Sequence, residues 1–179
     1  MITLQLAQHC KARVWLIELP DARVKSAKLT ERYVRGDKAA FEEVRRSAIE
    51  ILIPRGPRAL YGLLAAELSP KESGSLVIRV AASDHAGRPF PDSIALSSEE
   101  ARVGLPLEFS QAVFEGATGQ IERTVGMCSG ELVFDRAVHG LVGSAPIVFR
   151  WLAARLVQVL AEGDAISQQR LTEILQTEL

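Results

Sequence analysis

Residues 133–160, VFDRAVHGLVGSAPIVFRWLAARLVQVL, limit the choice of fold more than any other segment. Apolar and polar residues alternate over 130–138, which predicts a strand. The part from 147 to 160 carries a broad apolar stripe at helical spacing, and such a stripe has to be covered by a sheet or another helix. Ser144 is placed to cap this helix, and Pro146 falls in its first turn. The segment therefore predicts a strand, a glycine-rich corner, and a helix that lies on the sheet.

The chain from residue 75 onward alternates between predicted strands and helices. Strands are expected at 75–83 and 93–97, and helices at 107–120 and 165–179. Together with the strand and helix above, the order is strand, strand, helix, strand, helix and a final helix. Because each helix has a single apolar face, we expect a two-layer α+β sandwich. Helix-covered strands such as 75–83 should then lie in the same layer as 130–138.

Charge divides the chain unevenly. Residues 1–60 hold 12 Lys and Arg against 7 Asp and Glu, whereas residues 61–179 hold 9 against 15. We expect an N-terminal basic strand and helix segment at 1–57 and an α+β domain with a C-terminal helix at 58–179. The basic part suits an acidic partner, nucleic acid included, and it equally suits attraction between the two parts or an ordinary solvated surface.

Within the N-terminal segment, the pattern predicts one strand and one clear helix. The strand is expected at 12–19, where large apolar residues cluster. The helix is expected at 36–54, with Asp37 as its N-cap and the prolines at 54 and 57 ending it. A weaker helical pattern covers 21–34. Segment 58–69 fits either a short helix or the first strand of a hairpin.

Composition places the chain among globular proteins. Hydrophobic residues make up 47% of it, which is enough for a well-formed core. No apolar run reaches the ~18–20 residues that cross a bilayer, and the first residues do not resemble a signal peptide. Cys10 and Cys128 are far apart, a pattern typical of a reducing compartment. We therefore expect a cytoplasmic protein with no membrane partner.

Three stretches within residues 75–162 resemble domain IV of elongation factor G and of the tetracycline-resistance ribosomal protection proteins. GRPFPDSIAL resembles the family's glycine turn, aromatic residue and short strand. LPLEFSQAVFEGA resembles its helix-opening pattern. HGLVGSAPIVFRWLAARLVQVL resembles its final strand, loop and helix, with matching places at Ser144, Pro146, Phe149 and Leu152. The resemblance implies the fold of ribosomal protein S5 domain 2, which contains an uncommon left-handed βαβ crossover.

In those factors, domain IV reaches the decoding region of the small ribosomal subunit through loops at its tip. The resemblance implies tip loops here at 84–89 and 136–143, which contain His85, Arg88, Arg136 and His139. The family's GTPase loop, Gly-x-x-x-x-Gly-Lys-Ser/Thr, is missing from this chain. His139 lies about one place from a family histidine, so that residue's role is not transferred. The acidic balance of this part of the chain disfavours RNA, because Lys and Arg dominate phosphate contacts.

The glycine-rich corner is the other candidate for binding. A helix N-terminus attracts anions, which favours a phosphate contact near His139, yet GLVGS lacks the lysine of a phosphate-binding loop. A single histidine beside a glycine loop is more often simply exposed. The candidate partner-binding residues are therefore His85, Arg88, Arg136, His139 and Ser144.

The sequence points to no catalytic residue, metal or cofactor. The histidines and cysteines lack ligand spacing, and Cys128 lacks an activating base, so we expect it to be a small buried hydrophobe. The paired carboxylates Glu42–Glu43 and Glu99–Glu100 do not face each other in a helix and are expected to be solvated. Trp15 and Trp151 are expected in the core.

These observations favour a non-enzymatic protein-interaction module. Its partner would be an unknown protein, or a second copy of the chain that contacts it through the apolar helices. The alternative is a ribosome- or RNA-binding protein, similar to a translation factor, that acts through loops 84–89 and 136–143. An enzyme is a third class, but no kinase or protease motif is present.

Arg32, Arg45 and Arg46 belong to the densest basic region, which suits an acidic partner or an ordinary helix surface.

Overall fold

The computed structural model describes residues 1–25, 28–36, 42–56, 58–85, 87–95, 99–124 and 128–176. These residues form an α+β fold with a mixed eight-stranded sheet and three α-helices. The strands are β1 (Ile2–Gln5), β2 (Lys11–Trp15), β3 (Lys28–Arg35), β4 (Arg45–Arg55), β5 (Arg58–Pro70), β6 (Ser75–Ala82), β7 (Ala101–Val103) and β8 (Gly130–Gly140). The helices are α1 (Leu107–Ile121), α2 (Pro146–Glu162) and α3 (Gln168–Leu175), and a 3₁₀ turn at Ala7–His9 follows β1.

The strands of the sheet follow the order β1-β2-β4-β5-β8-β6-β3. Neighbours are antiparallel except β6 and β8, which run parallel. A parallel pair needs a crossover connection, and the segment that contains α1 supplies it. Since β5 lies along one side of β8, β6 and β7 share the other side, with Val103 of β7 opposite Val138.

Helices α1 and α2 cover one face of this sheet. The rings of Phe109 in α1 and Phe149 in α2 lie 5.2 Å apart, and both belong to a large cluster of buried residues that includes Ile51 and Leu64 from the strands. Gly62 of β5 leaves room there for the side chains of α2. The prediction that 147–160 buries its apolar side against a sheet is confirmed.

Loops cover part of the opposite face. Trp15, Tyr61 and Leu63 form a second buried cluster there with Phe90, which comes from the segment before β7. The central strands β4 and β5 are therefore apolar on both faces, as in sheets that are covered on both sides. The prediction that Trp15 lies in the core is confirmed, and Trp151 is buried in the helical layer.

The predicted helix at 36–54 is wrong over its described C-terminal part, which forms β4. Ile49 and Ile51 face the helical layer, whereas Ala48 and Leu52 face the second cluster. This alternation is hidden in the sequence because both faces of the strand are apolar. The predicted N-cap, Asp37, lies outside the described residues. The weaker helical pattern at 21–34 is also wrong, since it contains most of β3.

Segment 58–69, which fitted either a helix or a hairpin strand, belongs to β5. It pairs with β4 from Arg45 opposite Leu68 to Arg55 opposite Arg58. The boundary predicted between residues 57 and 58 therefore falls between β4 and β5, two strands that pair with each other. Strands on both sides of it belong to one sheet.

Most elements predicted after residue 74 are confirmed, with ends that differ by a few residues. The exception is the short strand expected at 93–97: residues 93–95 are not in a strand, and the rest lies outside the described residues. The second strand of the predicted order is instead β7, a few residues later. Helix α3 buries Leu171, Ile174 and Leu175, as expected.

Candidate functional site

The first candidate surface is the corner loop, which we define as residues 141–145 between β8 and α2. Leu141 and Val142 at its tip expose 54% and 71% of their surface. Ile147, in the first turn of α2, exposes 44%. Adjoining exposed apolar side chains are typical of surfaces that bind other proteins.

Ser144 fastens the corner loop to the sheet. Its hydroxyl donates to the carbonyl oxygen of Tyr61 at 2.6 Å and accepts the N–H of Gly140 at 2.8 Å. The N–H of Tyr61 in turn donates to the carbonyl oxygen of Gly143 at 3.0 Å. The predicted role of Ser144 as the cap of α2 is wrong, because Ala145 is the N-cap and no side chain caps the helix there. The hydroxyl joins β5 to β8 instead.

Glu99 fixes the tip of the corner loop. Its Oε1 accepts the N–H of Val142 at 2.8 Å, so the prediction that this carboxylate is merely solvated is wrong. Gly143 has no room for a larger side chain, since a Cβ there would lie 2.5 Å from the carbonyl oxygen of Ala59 and 2.8 Å from Oε2 of Glu99. The loop therefore presents its apolar tip from a backbone that is held at several points.

Two predicted tip residues lie inside β8, because this strand continues to Gly140. The loop expected at 136–143 thus begins only at residue 141. His139 exposes 8% of its surface, and its Nδ1 donates to the carbonyl oxygen of Gly104 at 2.9 Å. Arg136 is held by Asp135, with 2.7 Å between the two groups. The expectation that His139 is exposed is therefore wrong, and neither side chain forms the tip.

The other two predicted residues, His85 and Arg88, lie at a second site, which we name the basic pocket. It is a cavity of about 250 Å³, and Arg23 and Lys25 also line it. These residues come from the segment before β3 and from the turn after β6. Folding therefore brings His85 and Arg88 together in the lining, which does not include Arg136, His139 or Ser144. Arg136 and His139 lie directly behind this lining, because Arg136 forms a β-bridge with Arg23 and His139 bonds Gly104.

Carboxylates hold two cations of the basic pocket. Arg88 donates to the backbone carbonyl of Asp21 at 2.6 Å and forms an ion pair with its carboxylate. Arg23 pairs with Asp135 at 3.1 Å. Lys25 has no ion pair or hydrogen bond with the other described residues. The pocket therefore keeps an excess of positive charge.

Three arginines of the basic region have structural partners. Arg45 donates to two carbonyl oxygens in the last turn of α2, each at 2.8 Å. Arg32 lies over the ring of Phe114, 4.8 Å from its centroid. Arg46 pairs with Glu67 at 2.6 Å. These contacts favour the structural interpretation of this region over a docking face for an acidic partner.

A buried carboxylate on β4 is not among the candidate residues predicted from the sequence. Glu50 has no exposed surface, and its Oε1 accepts the Tyr61 hydroxyl at 2.8 Å and the N–H of Ile94 at 3.0 Å. Its Oε2 has no hydrogen-bond partner within the part of the chain that the structure describes, and it lies 3.6 Å from Nη1 of Arg13. Arg13 also bonds the carbonyl oxygen of Asp92 at 3.0 Å. The group fastens the loop around 92–94 to the sheet.

Burial raises the pKa of Glu50, although the N–H of Ile94, the Tyr61 hydroxyl and Arg13 oppose that shift. Burial also raises the pKa of Tyr61. Because Glu50 is closed to solvent, it cannot meet a substrate in this conformation, and its role is structural. The sequence does contain a signal for this buried site, because a single carboxylate stands within the apolar run AIEILI. A charge that is buried in such a run needs polar partners.

Neither cysteine forms a disulfide. Burial raises the pKa of both thiols, and Cys128 is fully buried, so the prediction that it is a small core residue is confirmed. Among the residues that the structure describes, no group of His, Cys, Asp and Glu is arranged to hold a metal ion. In the same part of the chain, no helix has the length and apolar character that a membrane crossing requires.

The sequence matches no protein-family model and no curated protein. The resemblance to domain IV of elongation factor G therefore stays a prediction. The corner loop and the basic pocket are the two surfaces from which a function can be inferred.

Proposed function

We propose that this protein is a non-enzymatic protein-interaction module that binds its partner through the corner loop. The observation that carries the proposal is the exposed tip, Leu141 and Val142, on a backbone held by Ser144 and Glu99. Burying such partly exposed aliphatic side chains contributes on the order of 1 kcal/mol each. A loop that is fixed before binding also loses less conformational entropy when it binds.

We also propose that residues 75–162 have the fold of ribosomal protein S5 domain 2, with its left-handed crossover. The parallel pair of β6 and β8, joined through α1 and followed by α2, supports this assignment. The absence of a disulfide at Cys10 and Cys128 supports the proposed cytoplasmic location. The apolar stripe of α2 is packed on the sheet, which favours the corner loop over the helices as the contact surface.

A ribosome- or RNA-binding role through the two predicted tip loops is the second candidate. The cations of the basic pocket favour it, because Lys and Arg dominate contacts with phosphates. The corner loop does not, since its tip is apolar and the cation expected there, Arg136, is paired within β8. A protein partner therefore ranks first.

The test replaces Val142 with a photo-crosslinking amino acid in the full-length chain, in cells that naturally produce the protein. Ile17 is the matched control position, because it is also aliphatic and exposes 69% of its surface. We expect a discrete protein adduct from position 142 and none of the same mass from position 17. We expect each of the variants Leu141→Gln and Val142→Gln to bind the purified partner about tenfold more weakly than the unmodified protein does.

Three results would overturn the proposal. Equal adducts from both positions would mean that contact is not specific to the corner loop. No adduct from position 142 would mean that no partner covers it. An adduct with ribosomal RNA, together with co-sedimentation that raised salt abolishes, would replace it with the RNA-binding role.

A further inference from the structure

The basic pocket has a chemistry that the corner loop does not explain. The pocket and the corner loop share no residue, and nothing apolar at the loop requires a cavity lined by cations. Side chains from three separate parts of the chain meet in the cavity. Such convergence of charged groups in a concave site is the usual sign of a binding site for a small ligand.

The charges in the pocket favour an anion. Arg23 and Arg88 are each partly neutralised by an aspartate, which also holds the guanidinium in place. Lys25 adds a charge without a partner among the described residues. A guanidinium that is already positioned loses little entropy when it binds an oxyanion, and its planar donors match the geometry of phosphate oxygens.

Neutral donors complete the lining. The hydroxyl of Ser83 accepts the backbone N–H of His85 at 3.2 Å, which leaves its own proton free to donate. The ring of His85 is exposed beside it and carries at least one N–H. Val24 and Val103 add an apolar wall. This combination suits a molecule with an oxyanion at one end and a small apolar group at the other.

The size and surroundings of the pocket favour a single phosphate over a polyanion. A nucleic acid needs a track of cations along its backbone, whereas Asp21 and Asp135 lie next to these arginines. A volume of about 250 Å³ holds a phosphate group with a few additional atoms. A phosphomonoester carries about −1.5 to −2 charges at pH 7, enough to balance the pocket's excess.

We propose that the basic pocket binds a small phosphomonoester, with Lys25, Arg88 and Arg23 on the phosphate and Val24 and Val103 against its organic group. The proposal does not depend on the corner loop. It assigns a binding site and no reaction. Lys25, which has no ion-pair partner among the described residues, gains one when the ligand binds.

Phenyl phosphate, inorganic phosphate and a single-stranded RNA oligonucleotide serve as probes, titrated into the full-length protein by calorimetry and by amide NMR at constant ionic strength. We expect saturable binding of phenyl phosphate that is tighter than that of inorganic phosphate, with shifted amides at 23–25 and around His85. Lys25→Gln should weaken it about tenfold. Arg88→Gln, a second variant, should weaken it by a similar factor.

Lys11→Gln is the matched control, because Lys11 is an exposed lysine on β2 that does not line the pocket. This variant should bind phenyl phosphate within twofold of the unmodified protein. The proposal fails if no probe saturates at millimolar concentration, or if Lys11→Gln and Lys25→Gln have equal effects. It also fails if the RNA oligonucleotide binds more tightly than phenyl phosphate and loses that binding in Lys25→Gln.

Discussion

Helices α1 and α2 approach each other closely at Gly116. A Cβ built on this residue would lie 2.0 Å from the carbonyl oxygen of Arg150 and 2.8 Å from its carbonyl carbon. Both atoms belong to the backbone of α2, so no side chain can rotate to make room. A Gly116→Ala variant can fold only if the two helices separate by more than about 1 Å, because real Cβ atoms stay beyond about 3 Å from such neighbours.

Two opposing terms set the stability of Gly116→Ala. Alanine in a helix interior gains about 1 kcal/mol over glycine. Separation of the helices loosens the packing that includes the Phe109–Phe149 contact, and a gap of 0.5–1 Å forfeits a quarter to a half of the dispersion energy of each contact affected. Overpacking costs about 1–3 kcal/mol, and the upper end applies here because the atoms met are backbone atoms. After the gain from alanine, we expect a net loss of about 2 kcal/mol.

Gly119→Ala is the matched control, because it lies in the same helix and a Cβ there would meet no described atom outside the helix's own backbone within 4 Å. It should raise the free energy of unfolding by about 1 kcal/mol through helix propensity alone. Urea unfolding of both variants at one pH, followed by circular dichroism, measures the difference, which should be about 3 kcal/mol. Equal stability of the two variants would refute the close approach of α1 to α2.

Two further predictions concern buried polar groups. Because burial raises the pKa of Glu50, the folded state favours its protonated form, and that stabilisation is lost as pH rises through the raised pKa. Glu50→Gln should therefore become more stable relative to the unmodified protein as pH rises above 4.5, the ordinary pKa of a glutamate, and a constant difference in urea unfolding would count against this. Arg45→Met removes two hydrogen bonds to α2 and should cost about 2 kcal/mol, whereas Arg46→Met, which breaks an exposed pair, should cost under about 1 kcal/mol.

Helix α2 could be predicted from the sequence because its evidence is local. Its apolar residues recur at helical spacing over 147–160, and Pro146 marks its first turn. Any sheet beneath it would accept that stripe, so the prediction did not require knowledge of the partner strands. The α+β class followed for the same reason.

Strand β4 could not be predicted, because its environment is not local. The run SAIEILI fits helical spacing through Ala48, Ile51 and Leu52, and it fits a strand that is covered on both faces equally well. Coverage of the second face depends on Trp15 and Phe90, which lie far away in sequence. Without those contacts, periodicity alone does not separate the two structures.

In each candidate site, too, some features could be predicted from the sequence and others depend on distant parts of the chain. The apolar residues of GLVGS are visible in the sequence, but the hydrogen bonds that hold the loop involve distant residues. Glu99 is 43 positions from its partner Val142, and Tyr61 is 83 positions from its partner Ser144. His85 and Arg88 could be placed in a loop because the segment is rich in Pro and Gly, and they became binding candidates because the resemblance implied a tip loop at 84–89. Their meeting with Lys25 depends on the path of the chain before β3.

His139 connects the two surfaces without belonging to either. Its ring bonds the carbonyl oxygen of Gly104, which lines the basic pocket, while the next residue, Gly140, donates its N–H to Ser144 in the corner loop. A substitution at this buried position would shift the end of β8 and disturb both sites through the backbone. If a His139 variant loses binding, the result therefore shows that His139 positions the backbone of the two sites. Contact is tested only by side chains that reach solvent, such as Val142 and Lys25.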